Sequence, residues 1–297
     1  MAKELKRPLY STQSGDRWPI DTKVVGKRLE IIWKDAHPDN FSPWGWDGKF
    51  AQDIVINNKI SLCTTVMDRI ENAKTSITQN IKDNIRYPNI EFVLLDYNSK
   101  DGFDKWVKEN LSDYIKDEVV SFYRTEEPQY YDMSHSRNVA FKLADGAIVN
   151  NIDADVLTNE GFAHHINKLA HEQARKAIFL KSRQLLRGRL GFWKDEFISL
   201  GGYDERLVQY GHEDADLMYR ALSLGFKMMT YKSKFHKHLP NHKKHQEGNY
   251  EKPWHVTEGR NEVISYANLI AGVYIANENC HWGKATVIKN FEEEITV

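Results

Sequence analysis

Ile60-Ser61-Leu62-Cys63-Thr64-Thr65-Val66 is an apolar, β-branched run that predicts a buried strand, and the residues after it change period. Ile70, Ala73, Ile77, Ile81 and Ile85 recur at helical spacing until Pro88, which has no N–H with which to continue a helix. A second unit repeats the pattern. Ile90 to Leu95 predicts a strand, Asp96-Tyr97-Asn98-Ser99-Lys100-Asp101-Gly102 a turn, and Phe103, Trp106, Val107, Leu111 and Ile115 the apolar face of one more helix. Val119 to Tyr123 predicts a third strand. Asp132 or Ser134 can cap a helix over Ser134 to Ala144, which leads into a fourth strand, Gly146 to Ile152. Strands and helices in alternation require crossovers, and crossovers leave neighbouring strands parallel. The expected fold class is therefore α/β: a Rossmann-like, mainly parallel sheet with helices on both faces.

The fourth strand closes on Asp153-Ala154-Asp155. In an open α/β sheet ligands collect at the carboxyl ends of the strands. Two hard oxygen donors one residue apart suit Mg2+ or Mn2+, which binds through one or two carboxylates plus substrate phosphates. The simplest ligand to expect is a metal-bound diphosphate. The pattern alone is not specific, because Asp-x-Asp recurs at Asp214-Ala215-Asp216. There Glu213 and Asp214 fall in the first turn of a predicted helix, where acids also complement the helix dipole.

The remaining patterns are less regular. Gly161 to Ala174 reads as a helix, Ala177 to Lys181 and Gly188 to Trp193 as strands, Phe197 to Arg206 as a helix stopped by glycines, and His212 to Leu222 as a helix with a core-facing stripe. The tail holds His236, His238, His242, His245, His255 and His281 among lysines, the composition of a solvated loop from which one imidazole can still reach a metal. Residues 1–56 are polar, with an aromatic knot at Pro43-Trp44-Gly45-Trp46-Asp47-Gly48 that either covers an apolar seam or stacks on sugar. The expected organisation is an extension over 1–56, the main domain over 57–233, and a C-terminal segment over 234–297 that completes the active site.

Composition excludes some functions. The chain has 41 basic and 42 acidic residues, a net charge of −1, so no basic surface dominates and nucleic acid is not an expected partner. Cys63 and Cys280 give neither a disulfide framework nor zinc spacing, which suits reduced thiols in the cytosol. The start lacks the apolar segment of a signal peptide, and the longest nearly apolar stretch, Tyr266 to Ala276, is too short for a bilayer. A cytoplasmic protein is expected, at most peripheral at the inner face of a membrane.

From about residue 58 to 240 the order of these segments resembles GT-A glycosyltransferases of the family 2 type, with a second half like the galactosyltransferase C-terminal region. The resemblance rests on four segments together. Ile60 to Arg69 is similar to the first strand and nucleotide turn, and Leu94 to Gly102 to the second-strand acidic turn. Ser136-Arg137-Asn138 with Ala144-Asp145-Gly146 resembles the lead into the metal motif, Asp153-Ala154-Asp155. Gly201-Gly202-Tyr203-Asp204-Glu205 followed by His212-Glu213-Asp214 resembles the acceptor segment.

The resemblance implies that Thr65, Met67 and Arg69 edge the nucleotide, that Asp96 approaches uracil or ribose, and that Arg137 faces the base or diphosphate. Asp153 and Ala154 would lie toward the ribose and the metal, with Asp155 the more direct metal ligand. His238 would complete the metal shell, with His236 in reserve. Glu213 would orient the acceptor and Asp214 would act as general base. Where many relatives carry two acids at the second-strand turn, Tyr97 follows Asp96, which leaves the contact to the base open; uridine is the favoured nucleotide. The implied function is metal-dependent transfer of a hexose or N-acetylhexosamine in polysaccharide biosynthesis. The donor would be a nucleoside-diphosphate sugar, and the acceptor a hydroxyl of a carbohydrate, free or lipid-linked.

The polypeptide N-acetylgalactosaminyltransferases, which retain configuration, also resemble the acceptor segment. They tend to place Asn after the Glu, so Asp214 favours inversion. Phe192 and Trp193 either line an acceptor pocket or pack in the core. Two other functions fit parts of the pattern: a non-catalytic sugar-nucleotide binding module on the same fold, and a metal-dependent phosphohydrolase.

Overall fold

The computed structural model describes residues 20–25, 28–33, 54–181, 189–239 and 247–297. The chain divides into two compact units, residues 1–57 and 58–297. In the first, Ile20–Val25 (β1), Arg28–Trp33 (β2) and Ile54–Val55 (β3) form an antiparallel sheet in that order. The aromatic knot at 43–48 lies outside the described residues, as do His242 and His245.

The second unit begins with Ile60–Val66 (β4), Ile70–Asn84 (α1) and Ile90–Tyr97 (β5). Phe103–Asn110 (α2), Ser112–Lys116 (α3), Val120–Thr125 (β6), Met133–Leu143 (α4) and Ile148–Asn151 (β7) follow. Next come Val156–Leu157 (β8), Phe162–Glu172 (α5), Ala177–Leu180 (β9), Gly191–Trp193 (β10), Lys194–Ser199 (α6), Glu213–Ser223 (α7) and Lys227–Thr230 (β11). The chain ends with Lys237–His238 (β12), Trp254–Ile270 (α8), Thr286–Lys289 (β13) and Glu293–Thr296 (β14).

Nine strands form one sheet in the order β11-β9-β10-β7-β4-β5-β6-β13-β14. Its centre, β7-β4-β5-β6, is parallel, as the alternation predicts. Antiparallel pairing enters on both sides, where β10 joins β7 and where β13 joins β6. Both faces are buried, so the central strands read as continuous apolar runs rather than alternating ones. On one face Leu62, Phe92, Leu94 and Phe122 pack with Ile77 and Ile81 of α1 and Phe103 of α2. On the other, Cys63, Val93 and Leu95 pack with Val139 and Phe141 of α4 and Leu217 of α7. Phe192 and Trp193 belong to these cores.

Local chemistry explains where the elements differ from expectation. The helix predicted from Phe103 to Ile115 breaks at Leu111, flanked by Asn110 and Ser112. Their side chains bond back to the carbonyls of Trp106 (2.8 Å) and Lys108, a local alternative to helix hydrogen bonding. The helix predicted at Phe197 starts earlier, at Lys194, and stops before Gly201 and Gly202, both with φ near +70°. A Cβ on Gly201 would lie 1.9 Å from the Ala276 carbonyl oxygen, so only glycine fits this corner. Much of the tail is ordered, in α8, β13 and β14. Among the described residues no helix is long and apolar enough to cross a membrane.

Candidate active site

β7 carries the chain to Asn151, and the turn beyond it is pinned by Ile152 N–H donating to the Cys63 carbonyl (2.8 Å). Asp153 is thereby presented at the sheet's carboxyl edge, and three groups hold it. Asn151 Nδ2 (2.8 Å) and Arg137 Nη2 (3.4 Å) approach Oδ1, while Arg189 Nε donates to Oδ2 (3.0 Å). Burial would raise the Asp153 pKa, but Arg189 and Arg137 outweigh it and hold the carboxyl below its ordinary value. Asp155 shows the opposite balance. Burial, and then the charge of Asp153, raise its pKa against the pull of Arg69, whose Nη2 is 3.8 Å from Oδ2.

Arg137 joins this strand end to the acceptor segment. It projects from α4, a helix capped by Asp132 through the His135 N–H (2.9 Å), and it is only 2 % exposed. One guanidinium nitrogen faces Asp153, and another donates to Glu213 Oε1 (2.5 Å) at the start of α7. The guanidinium also lies 5.6 Å from the centroid of the Tyr203 ring. Burial pushes Glu213 up to about 6 against Arg137, and the neighbouring charge of Asp214 adds to the rise. Glu213 Oε2 is buried and finds no partner among the described residues. Asp214, half-buried, accepts from Ala215 N–H (2.7 Å).

The loop before α7 is strained and held from behind. Gln209, Gly211 and His212 all have positive φ, at 59°, 95° and 70°. For Gln209 and His212 this left-handed backbone is costly unless the surroundings enforce it. Asn261 Nδ2 of α8 supplies the restraint, donating to the carbonyls of Val208 (3.0 Å), Tyr210 (3.3 Å) and Gly211 (2.9 Å), and Thr257 Oγ1 adds a bond to Tyr210 (2.9 Å). The last acid of the second Asp-x-Asp serves a different purpose. Asp216 forms a buried pair with Arg220 (2.7 Å), whose guanidinium also bonds the carbonyls of Leu200 and Gly202 and so fixes the Gly-Gly corner.

The residues expected at the nucleotide line adjoining strand ends. The hydroxyls of Thr65 and Tyr131 bond to each other, and the Met67 carbonyl accepts from Asn249 (2.7 Å). Asp68 N–H meets Ser99 Oγ (3.2 Å), which ties the β4 turn to the β5 turn. Asp96 is fully buried, bonded to Ser99 N–H (2.8 Å) and paired with Arg124. Burial pushes it up to about 6, while Ser99 and Arg124, which engage both its oxygens, pull it down. Arg124 and Arg189 are the charged groups here that sequence reasoning missed. Arg124 follows a strand pattern with nothing to mark it, and Arg189 meets Asp153 only through the fold.

The donor set suits a hard divalent cation. Asp155 already carries the repulsion of Asp153, which a cation beside it would relieve. His238 stands next to it, because β12 pairs with β8 in the register His238 to Val156, and Leu239 N–H donates to the Asp155 carbonyl (2.8 Å). Desolvation and Arg189 lower the His238 pKa, favouring the neutral imidazole that can bind a metal. His236 is buried beside Tyr231 (3.3 Å), and burial drives it to about 3. Among the described residues no three His, Cys, Asp or Glu side chains form a ready-made cage. Mg2+ and Mn2+ do not need one, since substrate phosphates and water fill their shells.

Against solved structures the chain resembles a mannosyltransferase from Pyrobaculum calidifontis in complex with GDP-Man and Mn2+, with 17% identity and a TM-score of 0.55, over 73% of this chain and 65% of that one. This chain has the GT-A fold of glycosyltransferases. It also resembles GalNAc-T7 with UDP, GalNAc and Mn2+, with 16% identity and a TM-score of 0.51, over 66% of this chain and 45% of that one. The chain thus spans less than two thirds of either relative. The family model for the N-terminal domain of galactosyltransferase matches residues 168–246, the part of the GT-A domain that holds Arg189, α7 and β12. No curated protein matches the sequence.

Proposed function

We propose that this protein is an inverting, metal-dependent glycosyltransferase. It moves a hexose or N-acetylhexosamine from a nucleoside-diphosphate sugar, with uridine the favoured nucleotide, to a hydroxyl of a carbohydrate. The observation that carries this reading is Arg137, one buried guanidinium shared by Asp153 and Glu213. It makes neighbours of a strand-end carboxylate pair and a helix-start carboxylate pair that lie some sixty residues apart in sequence. The mannosyltransferase and GalNAc-T7 structures, with GDP-Man or UDP and Mn2+, support a nucleotide-sugar donor and a divalent metal.

A bound Mn2+ or Mg2+ supplies positive charge to the departing diphosphate without a proton transfer. Asp155 would be its main protein ligand, with His238 alongside and Asp153 held in place by two arginines. Arg69 and Arg189 bring further positive charge toward the same edge. Asp214 accepts the proton of the acceptor hydroxyl as that oxygen bonds to the anomeric carbon, and the bond from that carbon to the diphosphate oxygen breaks. Glu213, oriented by Arg137, positions the acceptor. Attack from the face opposite the leaving group inverts the anomeric centre.

Incubation with UDP-sugars and GDP-sugars plus Mn2+, without acceptor, tests the proposal. Slow release of nucleoside diphosphate is the expected result. Release of inorganic phosphate would indicate a phosphohydrolase, and binding without turnover a binding module.

A further inference from the structure

Arg137 and Arg189 both approach Asp153, but they differ in what they have left to give. Arg137 is 2 % exposed, and its two terminal nitrogens are engaged by Glu213 and Asp153. Arg189 meets Asp153 through Nε (3.0 Å), and among the described residues neither of its terminal nitrogens donates a hydrogen bond. Those nitrogens are not sealed in, because the Arg189 side chain is 13 % exposed and neither is a buried atom left without a partner. The backbone behind them is fixed. The Leu190 carbonyl accepts from Asn151 N–H (3.0 Å), Tyr231 Oη donates to the Arg189 carbonyl (3.3 Å), and β10 begins its pairing with β7 at Gly191. A carboxylate on Nε also sets the plane of the guanidinium, and Asp153 is itself held by Asn151 and Arg137. The terminal nitrogens therefore form a fork that is aimed before any ligand arrives.

Arg189 stands at the proposed metal edge. After burial, its charge is the strongest influence on the lowered pKa of His238 and of His236, and it also draws on Asp155. Arg124, by contrast, spends its nitrogens on Asp96, Ser99 and Glu126. A cation at Asp155 and a planar fork of donors beside it are together what a diphosphate needs. We infer that Arg189 binds the diphosphate of the donor, its terminal nitrogens donating to phosphate oxygens next to the cation at Asp155. This rests on the glycosyltransferase reading and adds to it a residue that the resemblance did not name. Asp153 would then serve the donor indirectly, by aiming Arg189, while Asp155 holds the cation. As the bond from the anomeric carbon to the diphosphate oxygen breaks, its electron pair stays on that oxygen. Arg189 donates hydrogen bonds to the growing charge and keeps its protons.

Binding measurements test this without turnover. Titration calorimetry with UDP and GDP in Mn2+ first identifies the nucleotide. Arg189→Gln, which removes both charge and fork, should weaken that nucleoside diphosphate about tenfold or more and leave the bare nucleoside within about twofold, the scale of lost charge-assisted hydrogen bonds to phosphate alone. The loss should persist in EDTA. Arg189→Lys, a point charge without the fork, should bind the diphosphate with an affinity between those of the wild type and Arg189→Gln. An effect confined to Mn2+ would mean that Arg189 acts only by holding Asp153 for the metal, and overturns the inference. So does a loss equal for nucleoside and diphosphate, or an unchanged diphosphate affinity. A wild type that binds neither diphosphate removes the glycosyltransferase reading itself, and the role of Arg189 with it. A wild type that binds one, matched by Arg189→Gln, removes only the role of Arg189.

Discussion

Asp153 and Asp155 sit two residues apart on one turn, yet their neighbours give them opposite properties. Asp153 is locked by Arg137, Arg189 and Asn151, whereas Asp155 has a guanidinium no nearer than 3.8 Å among its ion pairs and a raised pKa. Asp155→Asn should therefore remove the metal dependence of donor binding, weakening it at least about tenfold in Mn2+. Titration calorimetry with a nucleoside-diphosphate sugar checks this, and an unchanged affinity with unchanged metal dependence would take Asp155 out of the site. Asp214→Asn should leave donor affinity intact and lower turnover about 10²-fold or more, the usual scale of lost general-base catalysis. Turnover at the wild-type rate would refute the role. The sequence supplied both carboxylate pairs and Arg137 as candidates. The resemblance set Asp155 ahead of Asp153 as metal ligand and named Asp214 as base, but the residues alone showed neither the arginines that hold Asp153 nor the buried pair that ties Asp216 to Arg220 one turn along α7.

Among the elements, α8 has a part in the site without contributing a side chain to the proposed chemistry. Asn261 spends its amide on three carbonyls of a loop that turns left-handed three times, and that loop sets where Glu213 and Asp214 emerge. Asn261→Leu should lower turnover while leaving donor affinity within about twofold, since the strained loop loses its restraint while the metal edge is untouched. Comparing kcat with donor Kd separates this from general unfolding, which would depress both. The central strands and their helices were legible because the strands are continuous apolar runs and the helices turn apolar residues inward with a period of 3.6. α8 was not, because its inward face is polar and its outward face apolar, so a search for buried apolar stripes looks at the wrong side. β13 and β14 are short strands at the sheet's edge, added by pairing with β6 that no local pattern announces.

Across the whole molecule, burial of acids should leave its mark on the pH dependence of stability. Asp96 and Asp132 are both pushed up to about 6 by burial, against the hydrogen bonds that stabilise their ionised forms. A carboxyl raised in the folded state binds its proton more tightly there than in the unfolded chain. Its contribution is thus fully present below about pH 4 and is lost as pH rises through about 6. Asp132→Asn keeps a capping oxygen but cannot ionise, so the stability of the wild type minus that of the variant should fall between pH 4 and pH 7. Urea unfolding at several pH values checks it, and a flat or rising difference would show that burial does not govern this carboxyl. By itself the sequence determined the α/β alternation, the parallel centre of the sheet and the carboxylates at its edge, because hydrophobic period and strand-end position are local properties. Only the tertiary structure decided which acid meets which guanidinium, which imidazole lies beside Asp155, and which helix holds the loop before Asp214. Those contacts join residues tens of positions apart, and charge pairing and burial act through space rather than along the chain.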